Sequence, residues 1–256
     1  MKILCLGDIV GPDALAHLSR ELWSYRKQKG ISLVVANGEN ADESNGLSPA
    51  AADQLLERGV DVITTGNHIW KKNEIKAYLD RSESVIRPLN YPGSCPGKGY
   101  TLTDADGYRV LVMNVMGTVF MEPLGCPFDA VDKALSANAG RYDIAILDVH
   151  AEATSEKLAL AHYFDGRVGI MYGTHTHVQT ADEQILPKGS GYMTDLGMCG
   201  VQSGILGVEN ELIVSRLREK MPVRHKLKKG DAYACGAIFE IDPSNSRVSS
   251  VERVKF

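Results

Sequence analysis

The sequence predicts an α/β protein in which a mostly parallel β-sheet is covered by helices. From residue 1 to about residue 180, short runs rich in leucine and β-branched residues alternate with segments of helical period, as in consecutive βαβ units. Thereafter, the strand-like runs ACGAIFEID and RVSSVERVKF flank PSNS, a pattern that predicts an antiparallel hairpin. We expect a single domain over residues 1–256, to which the last stretch of about 50 residues adds antiparallel strands.

The individual elements follow from local pattern, in chain order. The run KILCL predicts the first strand, and the next segment predicts a helix because apolar residues recur at three- and four-residue steps from Leu15 to Tyr25. ISLVVA predicts the second strand, and LSPAAADQLLERG predicts a helix with Ser48 as N-cap and Gly59 as its stop. The later pairs are VDVIT with NEIKAYLD, RVLVMNV with DAVDKALSANA, and IAILDV with SEKLALAHYF, followed by the strand VGIMY.

Composition limits the class of protein. The 256 residues are 44% hydrophobic, which is enough for a full core. A formal charge of −4 gives no overall attraction to nucleic acid or to an anionic membrane. Five cysteines without a CxxC pair argue against a disulfide framework, and no run approaches the roughly 20 apolar residues that span a bilayer. We therefore expect a cytoplasmic protein that does not enter a membrane.

Polar side chains follow five of the predicted strands. They are Asp8, Glu39 with Asn40, Asn67 with His68, His150, and His175 with His177. Ligands of open α/β sheets bind at the carboxyl ends of the strands, so we expect these side chains to converge on one site. Carboxylates, carboxamides and imidazoles without a thiolate suit Mn²⁺, Fe²⁺ or Zn²⁺. Eight such groups are too many for one tetrahedral ion and predict two ions that share a carboxylate.

The segment GTHTHVQT, residues 173–180, contains two of the predicted ligands in alternate positions. If the segment is extended, alternate residues point the same way. We therefore expect His175 and His177 to share one face of the crevice, each beside a different ion, while Thr176 between them makes a local hydrogen bond.

The motifs GDIVG, NGENA, TGNH, DVHAE and GTHTHVQT, in this order and spacing, resemble the calcineurin-type metallophosphoesterase superfamily, above all its YmdB-like branch. The resemblance includes EATSEKLALA and ILPKGSGYMTDLGM and so covers essentially the whole chain. It implies a four-layer sandwich, in which two mostly parallel or mixed sheets are flanked by helices. It also implies the activity of a 2′,3′-cyclic-nucleotide 2′-phosphodiesterase.

The resemblance further implies a role for each polar residue. The first metal ion would be held by Asp8, Glu39, Asn40 and His177, and a second ion, bridged by Glu39, by Asn67, His150 and His175. Iron or manganese is the favoured metal, with zinc as an alternative. His68 would bind no metal and would act as the general acid.

This chain departs from the superfamily pattern at two positions. The first motif usually reads Asp-x-His, but Val10 stands at the third position, and Asn40 resembles the replacement ligand. An acid that orients the histidine usually follows GNH, but Ile69 stands there.

The expected reaction is attack by a metal-bridging hydroxide on a 2′,3′-cyclic nucleotide, with His68 protonating the leaving oxygen to give a 3′-phosphate. One alternative is a phosphomonoesterase that uses the same metals. Another is a regulatory protein that holds a nucleotide or an RNA end with little turnover, which the basic stretch at residues 216–229 would favour. That stretch is otherwise expected to be a solvated face or the rim of a homo-oligomer, a dimer or tetramer.

Overall fold

The computed structural model describes residues 1–242 and 244–256. The strands are β1 (Lys2–Val10), β2 (Leu33–Asn40), β3 (Val62–Thr64), β4 (Tyr100–Ala105), β5 (Tyr108–Met116), β6 (Ile144–His150), β7 (Ile170–Thr174), β8 (Gln184–Ile185), β9 (Gly191–Met193), β10 (Met198–Val201), β11 (Ala232–Tyr233), β12 (Cys235–Asp242) and β13 (Arg247–Lys255). The helices are α1 (Gly11–Lys29), α2 (Pro49–Glu57), α3 (Ile75–Arg81), α4 (Pro127–Ala137), α5 (Thr154–Phe164) and α6 (Asn210–Glu219), and a 3₁₀ turn covers Ile69–Lys71.

The strands form two mixed sheets. In the seven-stranded sheet the order is β11-β10-β1-β12-β13, with β2 parallel to β1 and β3 parallel to β2. In the six-stranded sheet the order is β4-β5-β6-β7-β9-β8, and β5, β6, β7 and β9 run parallel. Two mixed sheets are what the family resemblance implied, whereas the alternation of strands and helices had indicated one.

Three apolar clusters hold four layers together. The central cluster lies between the sheets and includes Tyr172 of β7 and Phe239 of β12, whose ring centroids are 6.5 Å apart. A second cluster packs α1, α2 and α3 on the outer face of the seven-stranded sheet. A third packs α4 and α5 on the outer face of the other sheet. The result is the predicted sandwich, with helices outside and sheets inside.

Several local features agree with the sequence pattern. The Ser48 hydroxyl accepts a hydrogen bond from the Ala51 amide at 3.2 Å, so it caps α2 as predicted. β12 pairs antiparallel with β13 and also with β1. Of the predicted PSNS turn between β12 and β13, Pro243 lies outside the described residues. Among the residues described, no helix has the length and apolarity needed to cross a membrane.

Candidate metal and active site

The predicted site residues lie where the carboxyl ends of strands from both sheets meet. Glu39 and Asn40 end β2 and His150 ends β6, while Asn67 and His68 follow β3. Asp8 lies within β1 rather than after it, at a point where the pairing of β1 with β2 is irregular. The regular hydrogen bonding between β1 and β2 is thus interrupted at Asp8, one of the predicted metal ligands.

One group of side chains surrounds His150, which is completely buried. Its Nε2 atom lies 3.1 Å from Glu39 Oε1, 2.9 Å from Asn67 Oδ1 and 3.2 Å from His175 Nδ1. Glu39, His150 and His175 each offer a ligand atom, and these three atoms lie within 4.8 Å of one another. Four of the predicted ligands are thus gathered around one point.

A second group lies on the other side of Glu39. Asp8 Oδ1 is 3.7 Å from His177 Nε2, and Asn40 Nδ2 is 3.5 Å from the same nitrogen. Asn40 Nδ2 also donates to Glu39 Oε1 at 3.2 Å. Glu39 therefore contacts both groups. The structure brings together all the residues that the sequence predicted to converge.

The hydrogen-bond chain behind His150 fixes the orientation of its ring. The Thr174 hydroxyl donates to Asp148 Oδ1 at 2.7 Å, so it can only accept from His150 Nδ1, 2.9 Å away. In the neutral ring the proton is then on Nδ1, and the Nε2 lone pair faces Glu39 and its neighbours. Burial alone would lower the pKa of His150, but the carboxylates of Glu39 and Asp8 raise it to about 9.

These contacts fit a bound cation. With Nε2 unprotonated, acceptor atoms of Glu39, Asn67 and His150 face one another at hydrogen-bond distance, which is unfavourable unless a positive charge lies among them. Asp8 Oδ1 is buried and accepts no hydrogen bond within the described chain, although Oδ2 of the same carboxylate accepts from the His175 amide at 2.9 Å. Burial, opposed by His150 and reinforced by Glu39, raises the pKa of Asp8. A divalent ion would satisfy both arrangements.

His68 is held at the edge of the ligand groups. Its backbone amide donates to Glu39 Oε2 at 2.9 Å, and its Nδ1 lies 2.7 Å from Asn40 Oδ1. Nδ1 therefore donates to the amide oxygen, and Nε2 is left for a ligand. Asn40 thus orients the His68 ring, whereas the next residue in the chain, Ile69, is buried and apolar. Burial lowers the pKa of His68 against the attraction of Glu39.

The segment that contains His175 and His177 is not extended, so the backbone conformation on which their prediction depended is wrong, although both residues line the same cavity. Both residues have left-handed backbones, with φ of 94° and 64°. Such conformations in non-glycine residues typically require about 1–3 kcal/mol from the surrounding structure. Here Asp195 holds the turn, because its Oδ2 accepts from the Thr176 amide at 3.2 Å and from the Thr176 hydroxyl at 2.7 Å. Thr176 is a local hydrogen bonder, as predicted.

A buried ion pair anchors that turn. Lys157 of α5 and Asp195 are each about 1% exposed, and Lys157 Nζ lies 2.7 Å from Asp195 Oδ2. Sequence reasoning did not assign a role to either residue, although both stand in the EATSEKLALA and TDLGM stretches. Lys157 stands on an otherwise apolar face of the predicted helix, and a lysine in such a place indicates a buried partner of opposite charge.

Gly66 allows the loop after β3 to approach His150 and Glu39 closely. A Cβ atom at this position would lie 2.3 Å from His150 Nε2 and 2.5 Å from Glu39 Oε2. Any side chain here would therefore push the loop after β3, which contains Asn67 and His68, away from the other ligands.

A cavity of about 390 Å³ opens onto the site. Glu39, Asn40, His68, His175 and His177 line it, together with residues that sequence reasoning did not place there, among them Glu152, Arg216 and His225. Glu152 Oε2 lies 3.1 Å from His175 Nε2 and so leaves the other ring nitrogen facing His150. Burial and the neighbouring His150 lower the pKa of His175 to about 3, so its ring is neutral.

Known proteins are similar to this chain over almost its whole length. The family model described as YmdB-like protein matches residues 4–254. A 2′,3′-cyclic-nucleotide 2′-phosphodiesterase of Bacillus subtilis (strain 168) is 40% identical over 254 residues, which are 99% of this chain and 96% of that protein. A solved structure of a hypothetical protein from Thermus thermophilus is 39% identical with a TM-score of 0.94, over 100% of this chain and 99% of the other. The structure of a novel phosphatase from Mycoplasma pneumoniae is 32% identical with a TM-score of 0.93, over 100% and 93%.

Proposed function

The chain belongs to the YmdB-like protein family, and from this premise we propose that it is a metal-dependent phosphodiesterase that hydrolyses 2′,3′-cyclic nucleotides to 3′-phosphates. One observation carries the proposal most directly. Two groups of oxygen and nitrogen donors are joined through Glu39, and an imidazole that belongs to neither group stands beside them. The name of the Bacillus relative suggests which phosphodiester is cleaved.

We assign two divalent ions to these groups, because carboxylate and carboxamide oxygens and imidazole nitrogens suit iron, manganese or zinc. The first ion is held by Asp8, Glu39, Asn40 and His177, and the second by Glu39, Asn67, His150 and His175. The Asn40 oxygen has a second lone pair, which stays available although it accepts from His68. When bound, the ions supply Lewis-acid chemistry, which lowers the pKa of water and polarises phosphoryl oxygens.

His68 is the general acid in this proposal. Asn40 accepts from Nδ1, so Nε2 faces the cavity and can deliver a proton to the oxygen that leaves phosphorus. The lowered pKa keeps His68 neutral in the free site at pH 7. The negative charge of a bound phosphodiester would raise that pKa and so place the proton on His68 when substrate is present.

A substrate panel tests the proposed function. Manganese-loaded protein is compared with chelator-treated protein on 2′,3′-cyclic, 3′,5′-cyclic and 3′-monophosphate nucleotides. We expect metal-dependent turnover of the 2′,3′-cyclic nucleotide above the other two. Preferred turnover of the monophosphate would instead identify a phosphomonoesterase, and tight binding without turnover would identify a regulatory binder.

Thr174 is predicted to tune the affinity of the site. Thr174→Val removes the hydroxyl that accepts from His150 Nδ1, and loss of such a partner typically lowers metal affinity about 10–100-fold. Titration calorimetry with Mn²⁺ measures the change. Thr174→Ser keeps the hydroxyl and serves as the matched control, which we expect to remain near wild type. Equal loss in both variants would point to packing instead of the hydrogen bond.

Metal affinity is also predicted to rise with pH. The pKa of His150 is raised to about 9, so below that pH a proton on Nε2 competes with the metal ion. The metal affinity should therefore rise about tenfold for each pH unit per proton released. Because this pKa is higher in the folded than in the unfolded chain, protonated His150 stabilises the metal-free fold. The stabilisation is complete below the pKa of the unfolded chain and is lost as the pH rises through 9. Calorimetry in buffers of different ionisation enthalpy gives the number of protons released when the metal ion binds. An affinity that is constant between pH 7 and pH 9 contradicts the assignment of His150 Nε2 as a ligand.

A further inference from the structure

A second cavity adjoins the one at the candidate site. Its volume is about 1000 Å³, and it shares Val10 and His225 with the site cavity of about 390 Å³. Ligand pockets usually span about 300–1,000 Å³. The site cavity is thus sized for one small ligand, and the adjoining groove has room for a much larger part of a ligand.

Four cations of the basic stretch line the groove. Arg224, Lys226, Lys228 and Lys229 lie along it. Lys226 is neutralised by Glu209, 2.9 Å away. Arg224 and Lys229 are exposed, and no hydrogen bond or ion pair of their side chains is found in the part of the chain that the structure describes. At least two cations are therefore free to meet an anion.

The acidic residues in the groove do not cancel these charges. Asp13 accepts from the Gly230 amide at 3.1 Å, and Asp42 accepts from the amide and the hydroxyl of Ser48. Glu43 is the third acid that lines the groove. Hydrogen bonds from these neutral donors leave the carboxylates charged, so the three acids reduce the positive charge of the groove. With Lys226 set aside because it pairs with Glu209, the groove still has four cations, Lys72 among them, against three acids.

The basic stretch is fixed against the rest of the fold. The Lys228 amide donates to the Gly207 carbonyl at 2.8 Å, and the Lys226 carbonyl accepts from the Glu209 amide at 3.1 Å. Leu227 forms an isolated bridge with Val208, and its side chain packs against Gly11 at the start of α1. The cations are thus presented beside the site by ordered backbone.

We propose that the groove binds the phosphates of an RNA strand whose 2′,3′-cyclic end occupies the candidate metal site, an inference that rests on the proposed function. A cyclic mononucleotide has one phosphate, which would lie at the metal site, and it leaves the cations of the groove without a partner. An oligonucleotide continues from that end with one negative charge per nucleotide. The 2′,3′-cyclic phosphate requires a 2′-oxygen, so the strand is RNA, and its supply is a transesterification in which a 2′-hydroxyl has cleaved the chain.

The test compares a cyclic mononucleotide with a short RNA that ends in the same 2′,3′-cyclic phosphate, using full-length manganese-loaded protein. We expect a higher kcat/KM for the RNA. In the variant Arg224→Ala/Lys229→Ala, the ratio of the two kcat/KM values should fall roughly tenfold. For the RNA, the slope of log kcat/KM against log salt concentration should become shallower by about 1.4, because each of the two lost phosphate contacts contributes about 0.7 for a single strand.

The matched control is Lys27→Ala/Lys29→Ala, which removes the same charge from the far end of α1 and should leave the ratio unchanged. An equal kcat/KM for both substrates in the wild-type protein overturns the RNA inference and leaves the proposed function standing. Equal losses in the groove variant and the control also overturn it. Absence of turnover on both substrates overturns the proposed function itself.

Discussion

Replacement of His68 by alanine is expected to lower the turnover of 2′,3′-cyclic nucleotides by about 10²–10⁴-fold, the usual contribution of a positioned general acid. Metal content should stay at the wild-type level, because His68 contacts Glu39 and Asn40 from outside the two ligand groups. The measurement is kcat at saturating substrate together with metal analysis of the same sample.

Two further measurements make the His68→Ala result decisive. His162→Ala alters an exposed histidine on α5 and should change neither quantity. His68→Ala should lower the turnover of a substrate whose leaving group needs no proton much less than it lowers the turnover of the natural ester. Unchanged turnover of the cyclic nucleotide by the variant would remove His68 from the reaction.

Replacement of His150 by alanine is expected to abolish binding of the second ion and to lower activity by more than about 100-fold, since ligands matter at least as much as their hydrogen-bond partners. His150 is the residue that Glu39, Asn67 and His175 all contact, so its loss removes the centre of that group. Elemental analysis gives the metal content per chain.

Because His150 is fully buried, its loss could also disturb packing. His175→Ala is therefore measured beside it, since His175 is about one-fifth exposed and belongs to the same group. Both variants should lose the same ion while their circular dichroism stays that of the wild-type protein. Full metal occupancy in both would contradict the ligand assignment.

Local pattern was sufficient for most elements of the fold. The Ser48 cap, the strands that flank PSNS and the succession of strand and helix can be read from residues close in sequence. The division of the strands between two sheets could not, because alternation is the same whether successive strands join one sheet or two. β4, the short strands β8 to β11 and α6 were also missed. β4 is stabilised by pairing with β5, and α6 has no buried residues.

The site was predictable to the extent that polar residues follow apolar strands. The convergence of Glu39 with His150 follows from that pattern, although Asp8 lies inside its strand. The left-handed turn at His175 and His177 did not follow, because Asp195, which holds it, is distant in sequence. The places of Arg216 and His225 at the cavity depend on how α6 and the stretch after it pack against the rest of the fold, which no local periodicity encodes.

The most direct test of the central claim is to identify the ester bond that breaks. Phosphorus NMR follows the metal-loaded protein acting on a 2′,3′-cyclic nucleotide and distinguishes a 2′-phosphate from a 3′-phosphate product. We predict that the 3′-phosphate is the sole product and that it disappears when the metal is removed. Formation of the 2′-phosphate, or equal product formation without metal, would contradict the proposed function.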